Sequence, residues 1–291
     1  MDGTFTQRLT SQYDRLSGRL RQAGDYVMAN PVNTATRSLR SIATEAALPP
    51  ATFSRLSRQL GYPSFEALRD EMRGRIDQHI DRSGNSFADR ARQLQRTQST
   101  GTLDFLGTHR DACLLNIQTL ALGIDDTQLE TTVERLHRSR RVLLLGALGS
   151  TGIVEHMSYM ANFLTDNWHM AGRMGASMGS ALTGLSAQDA LVIVTKPPFA
   201  RKSIMAAKEA RKQGVYVVVI TDSHTCPALA QADSGFLIPT ESPHFFSSYV
   251  ATLFLVEAII GMLAARIGPD AARRIAEVES RNRQLEEASG G

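Results

Sequence analysis

Residues 38–60 read Ser-Leu-Arg-Ser-Ile-Ala-Thr-Glu-Ala-Ala-Leu-Pro-Pro-Ala-Thr-Phe-Ser-Arg-Leu-Ser-Arg-Gln-Leu. Leu39, Ile42, Ala43 and Ala46 recur at helical spacing and give a short helix one apolar face. Leu48-Pro49-Pro50 stops that helix, because a residue before proline is pushed out of helical geometry. Pro50 suits the first position of a second helix, where no amide hydrogen is needed. Phe53, Leu56, Ser57 and Leu60 form the inner face of that helix; Thr52, Ser54, Arg55 and Arg58 fall on the other, and Gly61 ends it. Two short helices joined by a tight turn, the second turning hydroxyls and arginines outward, form a helix-turn-helix suited to the major groove of DNA. A helical hairpin with a solvated face carries the same pattern, so the flanks decide.

Upstream, residues 9–29 carry Leu9, Tyr13, Leu16, Leu20, Val27 and Met28 at mostly helical spacing. Downstream, Ser64 is placed to cap a helix bearing Phe65, Leu68, Met72 and Ile76. Residues 1–77 hold eleven Arg against eight acids, an excess that supports phosphate contact. Residues 1–110 hold sixteen Arg and eleven acids, whereas residues 111–291 hold sixteen basic residues and eighteen acids. A basic front half and a slightly acidic back half fit a nucleic-acid module followed by a second one. The length of 291 residues allows two separate cores, and a composition of 42% hydrophobic and 21% charged residues is that of a folded protein. Cys113 and Cys226 have no ligand-like flanks, so neither a disulfide nor a metal site is expected, and a cytoplasmic location is. Residues 250–265 are strongly apolar but broken by Glu257 and Gly261, and read as a buried helix rather than a membrane span; no membrane partner is expected.

Residues 78–102, rich in Arg, Gln, Ser, Thr and Gly, read as a connector, followed by helical patterns over 103–122 and 125–138. After Arg141 the periodicity changes. Val142-Leu143-Leu144-Leu145, Ala190 to Val194 and Val215 to Ile220 are short continuous apolar runs, Gly235 to Ile238 is a weaker one, and Trp168 to Ala171 is a fifth, poor in β-branched residues. Such runs, separated by helical patterns at 153–164, 200–213 and 245–267, indicate a parallel sheet buried on both faces. Helical alternation of charge over 269–288 indicates an exposed terminal helix.

Ligands of open parallel sheets collect at the carboxyl ends of strands, and two loops there are site-like. Gly146-Ala147-Leu148-Gly149-Ser150-Thr151-Gly152 offers backbone amides and hydroxyls at a helix start, a set suited to an anion. A tight turn needing glycines for geometry alone is the alternative. Its glycine spacing is not that of a dinucleotide fold. Thr195-Lys196-Pro197-Pro198-Phe199-Ala200-Arg201-Lys202-Ser203 adds fixed positive charge. Asp222 or Ser223 reads as a helix cap, and Glu241 with His244 as either an acid/base pair or local packing.

This order of parts resembles the RpiR/MurR family of bacterial transcription regulators. Ala51 to Leu56 and Gln59 to Phe65 match the family's recognition helix and following turn; Ala206 to Ala210, Gly214 to Thr221 and Pro227 to Asp233 match its sugar-isomerase (SIS) half. The resemblance implies an all-α helix-turn-helix domain over 1–77, a linker and connecting helix over 78–110, and an α/β SIS domain over 111–291. That domain is a three-layer sandwich with a mainly parallel five-stranded sheet. It implies a homodimer or homotetramer, double-stranded operator DNA as partner, no cofactor, and control of carbohydrate-metabolism genes by an effector held in the SIS domain. On this reading Thr52, Ser54, Arg55 and Arg58 contact DNA. Gly146, Gly149, Ser150, Thr151, Thr195, Lys196, Arg201, Lys202 and Ser203 hold the effector. Leu148 stands at the second Gly of the family's Gly-x-Gly-x-Ser loop, and Thr195 to Phe199 replaces its Ser/Thr-rich phosphate loop. The effector classes left open are a sugar phosphate, a polyol and a sugar acid. An SIS-type isomerase or deaminase using Glu241 or His244 as base, and an interaction adaptor, are the alternatives.

Overall fold

The computed structural model describes residues 5–72, 86–99, 104–173 and 175–287. It divides into two compact units, Met1–Gly123 with Thr240–Ser248, and Ile124–Pro239 with Tyr249–Gly291.

The first unit is helical: α1 (Phe5–Gln12), α2 (Gly18–Ala29), α3 (Pro31–Thr36), α4 (Leu39–Glu45), α5 (Pro50–Gln59), α6 (65–72), α7 (Phe87–Ser99) and α8 (Phe105–Gly123). The single helix expected over 9–29 is broken. A 3-10 turn spans Tyr13–Arg15, and Leu16 and Ser17 are extended before Gly18 restarts the chain. The Arg21 guanidinium stabilises this break by donating Nε to the carbonyls of Tyr13 (3.0 Å) and Leu16 (3.1 Å). Such side-chain rescue of backbone acceptors is invisible to periodicity. The helix expected over 64–76 begins at 65 with Ser64 accepting from the Ala67 amide at 3.1 Å; residues beyond 72 lie outside the described ones.

Helices α4 and α5 form the tight pair foreseen. Ser38 caps α4 through the Ser41 amide. At its other end the Leu48 amide donates to the Ala43 carbonyl and the Ala47 amide to Thr44, the paired closure of a Schellman motif. That motif needs a left-handed residue, and Ala47 takes φ 52° there without being glycine. Pro49 and Pro50 then open α5. Phe53 anchors it: fully buried, it meets Tyr26 of α2 and Phe65 of α6 edge-to-face, with ring centroids 5.9 and 6.0 Å apart. Ser57, buried beside it, satisfies its hydroxyl on the Phe53 carbonyl at 2.9 Å.

Segment 240–248 belongs to this unit because buried Asn116 of α8 clamps it. The Asn116 amide donates to the Glu241 carbonyl at 2.8 Å, and its oxygen accepts the Glu241 amide at 2.9 Å. Phe246 stacks on Phe87 at 4.8 Å, and its amide donates to His244 Nδ1 at 3.1 Å. These bonds explain a correction: the helix expected from Phe245 begins only at Val250, because residues 245–249 are spent on loop contacts.

The second unit opens with α9 (Asp126–Arg138), capped by Asp125 on the Thr127 amide at 2.9 Å. There follow β1 (Val142–Gly146), α10 (Thr151–Asn162), β2 (Trp168–Met170), α11 (Met178–Leu182), β3 (Ala190–Val194), α12 (Arg201–Lys212), β4 (Tyr216–Thr221), β5 (Ser234–Leu237), α13 (Val250–Ile267) and α14 (Pro269–Gln284). The strands form one sheet in the order β2-β1-β3-β4-β5, every neighbouring pair parallel, with Val142, Ala190 and Tyr216 in register. The expected class therefore holds: a helical part, then a five-stranded parallel α/β sheet. Leu143, Leu145, Leu191, Ile193, Val217 and Val219 pack toward α12 through Ala206, Ala207 and Ala210. The alternate residues Leu144, Val192 and Val218, also fully buried, face the opposite layer, where α10 lies against β1 and α13 against α9 and α10. Helix α13 is long and apolar enough to cross a membrane by length and composition, yet Leu255, Val256, Ile259 and Leu263 lie buried within the unit.

At the amino end of the sheet, Asp189 is buried and takes two bonds from Arg140, Nε at 3.0 Å and Nη2 at 2.7 Å, plus the Ser186 amide at 2.8 Å. Burial raises its pKa, but the Arg140 and Ser186 bonds outweigh that and leave the carboxyl below its ordinary value. This network fastens the sheet at the end away from the candidate site.

The Ala47 conformation yields a stability test. A left-handed alanine costs about 1–2 kcal/mol, and glycine's extra unfolded-chain entropy returns roughly half of that. Ala47→Gly is expected to stabilise the helical unit by about 0.5–1 kcal/mol in urea unfolding; a loss of stability contradicts this turn.

Candidate functional site

In the helical unit, α5 displays Arg55 and Arg58 to solvent, with Ser54 half-buried beside them. Among the described residues neither arginine is held in an ion pair. The sequence placed Thr52 on the same outward face, and the structure corrects this: Thr52 is 9% exposed. The reason is geometric, since Thr52 adjoins Phe53 in the first turn of α5, where α5 packs on α2. Thr52 instead lines a surface depression of about 340 Å³ with Ser17, Arg19, Leu20, Pro49, Ala51 and Arg55.

In the second unit the candidate site lies at the carboxyl edge of β1, β3 and β4. The strand order 2-1-3-4-5 reverses direction between β1 and β3, the topological switch point where open α/β sheets bind ligands. Gly146 ends β1, and its lack of a side chain is required: a Cβ there would collide with the Ser150 carbonyl oxygen and the Val154 side chain. Leu148–Ser150 then make a 3-10 turn into α10. Leu148 is 69% exposed and held at φ 55°, a left-handed conformation that suits glycine. Gly149 is exposed, and Thr151 is half-buried as the first residue of α10. Ser150 is buried, its Oγ 3.0 Å from the Tyr249 hydroxyl.

After β3, Thr195 is buried and its amide continues the sheet by donating to the Ile220 carbonyl at 3.0 Å. Lys196 is only 8% exposed, with Nζ 3.6 Å from the centroid of the Tyr249 ring. A desolvated cation over an aromatic face gains on the order of 2 kcal/mol, which offsets part of its burial. Burial still lowers the Lys196 pKa to about 8, with the Asp222 carboxylate opposing the shift. Tyr249 is pushed above its ordinary value, first by burial; the Ser150 hydrogen bond opposes this and Asp222 adds to it.

The sequence-predicted residues are thus partly gathered. Ser150 and Lys196 meet on Tyr249. Arg201 and Lys202 are exposed in the first turn of α12. Ser203 is fully buried, on the α12 stripe it shares with Ala206, Ala207 and Ala210. Its hydroxyl has no hydrogen-bond partner among the described residues, so it packs inward instead of facing solvent beside Arg201 and Lys202. Sequence reasoning missed Tyr249 and gave Asp222 only a capping role. Asp222 had a usable signal, because it follows β4 as Lys196 follows β3. Tyr249 had none, lying 99 residues from Ser150 in a loop. Glu241 and His244 are occupied in the first unit by the Asn116 and Phe246 contacts described above. Among the described residues no three His, Cys, Asp or Glu side chains gather as metal ligands.

Comparison with known proteins agrees with this geometry. Residues 135–262 match the SIS domain family. The structure is similar to that of an RpiR transcription factor from Sphaerobacter thermophilus (sugar isomerase domain), with 20% identity, a TM-score of 0.58, and coverage of 61% of this chain and 99% of that one. It is similar also to the Vibrio vulnificus NanR protein complexed with ManNAc-6P, again at 20% identity, with a TM-score of 0.54 over 97% of this chain and 99% of that one. These likenesses establish a shared fold. No curated protein matches the sequence. The part of this chain that matches the SIS domain family, residues 135–262, thus carries Ser150, Lys196, Asp222 and Tyr249 gathered at the carboxyl edge of its sheet.

Proposed function

We propose that the chain is a metabolite-responsive transcriptional regulator of the RpiR/MurR type, a sensor rather than a catalyst. Its helical unit binds double-stranded operator DNA, and its SIS domain binds a small effector of carbohydrate metabolism as a homodimer or homotetramer. The observation that carries this reading is α5: the second helix of a tight helix pair, anchored by Phe53 and Leu56, turns Arg55 and Arg58 outward without ion-pair partners among the described residues. Arginine forks are the commonest readers of guanine edges.

The effector site is the Ser150, Lys196 and Tyr249 cluster at the switch point, with Gly146, Gly149, Thr151 and Thr195 shaping its floor. Arg201 and Lys202 support an anionic ligand. Cations in a helix's first turn oppose its dipole, so their placement at the start of α12 is unfavourable until a negative group arrives. NanR, of the same fold, is complexed with a sugar phosphate. In this chain the effector is a sugar phosphate or a sugar acid, met by one buried ammonium and few hydroxyls. A neutral polyol is the alternative effector class.

Selection from a pool of randomised duplexes on the wild-type protein is expected to enrich one sequence. Arg55→Ala and Arg58→Ala should each weaken binding to it by about 1–3 kcal/mol, or roughly 5- to 150-fold, with the unfolding midpoint unchanged. Full affinity in both variants overturns the assignment.

Lys196 gives a pH test. Its pKa is about 8 in the fold and about 10.4 in an unfolded chain. A depressed folded value means that its contribution to stability is fully present above about 10.4 and is lost as pH falls through about 8. Thermal unfolding of wild type against Lys196→Met should show the wild type gaining on the order of 2–3 kcal/mol across that window. Parallel curves contradict a buried ammonium.

A further inference from the structure

A depression lies beside α5, lined by Ser17, Arg19, Leu20, Pro49, Ala51, Thr52 and Arg55. Two helices begin at its rim. Ser17 is the N-cap residue of α2 and Pro49 that of α5, and neither makes a side-chain capping bond. Each helix start keeps the positive end of its dipole uncompensated by a side-chain cap; in α2 the Leu20 amide is already spent on the Ser17 carbonyl, and in α5 Pro50 has no amide hydrogen and the Thr52 amide is spent on the Pro49 carbonyl. Arg19, from the first turn of α2, and Arg55, from the second turn of α5, line the same depression. Neither has an ion-pair partner among the described residues. No acidic side chain is among the lining residues.

Thr52 supplies an independent sign. It is nine-tenths buried, lines the depression, and its hydroxyl makes no hydrogen bond among the described residues. Its oxygen keeps some exposure within the depression, so the hydroxyl is available to donate to a ligand oxygen that enters. Two uncapped helix starts, two arginines and one hydroxyl converge on a space of about 340 Å³.

We infer that this depression is a phosphate clamp for the DNA backbone. Arg19 and the α2 amides grip one phosphodiester, Thr52 donates its hydroxyl to it, and Arg55 spans from the clamp to the groove. This rests on the DNA-binding reading and refines it. Thr52 acts on the backbone rather than on a base, and α2, which the sequence pattern marked only as packing, becomes part of the interface. The clamp fixes register and carries no sequence information; Arg58, outside the depression, is left to read bases.

The distinguishing property of a phosphate contact is its salt dependence. Binding of a fluorescein-labelled mixed-sequence duplex and of the selected duplex is measured by anisotropy over a range of salt. Wild type, Arg19→Ala, Thr52→Val and Arg58→Ala are compared. Arg19 is exposed, so its truncation leaves the fold intact. Arg19→Ala is expected to reduce the slope of log K against log salt by about 0.9 and to weaken both duplexes by the same factor, on the order of tenfold. Thr52→Val should weaken both equally, with a smaller effect. Arg58→Ala should lower affinity mainly for the selected duplex. If wild type binds DNA while Arg19→Ala and Thr52→Val keep its slope and affinity, the clamp is wrong and the DNA reading stands. If wild type binds neither duplex, both fall. Saturable, Arg19-dependent binding of inorganic phosphate with DNA affinity unaltered overturns the clamp in favour of a small-anion site.

Discussion

A parallel sheet buried on both faces leaves polar chemistry only one useful place to stand. Leu144, Val192 and Val218 on one face and Leu145, Ile193 and Val219 on the other are each nearly or wholly excluded from water. No charged group is tolerated along those strands. The residues that first escape the constraint are those just past the strand ends: Ser150 after β1, Lys196 after β3 and Asp222 after β4. Because β1, β3 and β4 are adjacent and in register, these three positions converge. Lys196 is still buried there, and its ammonium is tolerated through the face of Tyr249 and the field of Asp222. The sheet thus dictates where the candidate site sits, and the loop chemistry dictates that a buried cation stands in it.

The helical unit answers a different constraint. A short helix pair has little core of its own, so one large side chain must fix it. Phe53 does this between Tyr26 and Phe65. With α5 held by its inner face, the residues one position away on the helix surface, Ser54, Arg55 and Arg58, are presented in a fixed direction. Thr52 is carried inward by the same packing. The direction in which α5 presents these side chains therefore depends on the aromatic contact beneath it, and the turn that delivers α5 depends on an alanine in a conformation glycine would adopt more easily.

The sequence made most of the architecture legible, and the limits of that legibility have physical causes. The three strong strands, β1, β3 and β4, were readable because burial on both faces demands continuous apolar runs. The α4–α5 pair was readable because Leu48-Pro49-Pro50 permits few backbone paths. Ser38 and Ser64 cap helices through bonds to residues three along the chain, which local reading captures. Misreadings arose where a distant partner overrode a local pattern. Arg21 rescues carbonyls that a continuous helix would have used, breaking the helix at Leu16. Asn116, 125 residues from Glu241, holds 240–248 out of the helix that follows. Tyr249 enters the site through a contact across 99 residues. Periodicity placed Thr52 outward, although α2 covers it. Ser150 and Lys196 drew notice in the sequence because each lies just past a legible strand; Tyr249, in a loop 99 residues from Ser150, gave no local signal.

The central claim is that occupancy of the SIS domain alters DNA binding by the helical unit. The most direct measurement is the affinity of the selected duplex with and without saturating ligand from a panel of sugar phosphates and sugar acids. Saturation is verified by thermal stabilisation, about 2.7 kcal/mol at a hundredfold excess over the dissociation constant. The account predicts that a ligand which stabilises the protein changes DNA affinity by roughly 5- to 150-fold, with DNA changing ligand affinity by the same factor. A ligand that saturates the SIS domain while leaving DNA affinity unchanged would contradict it.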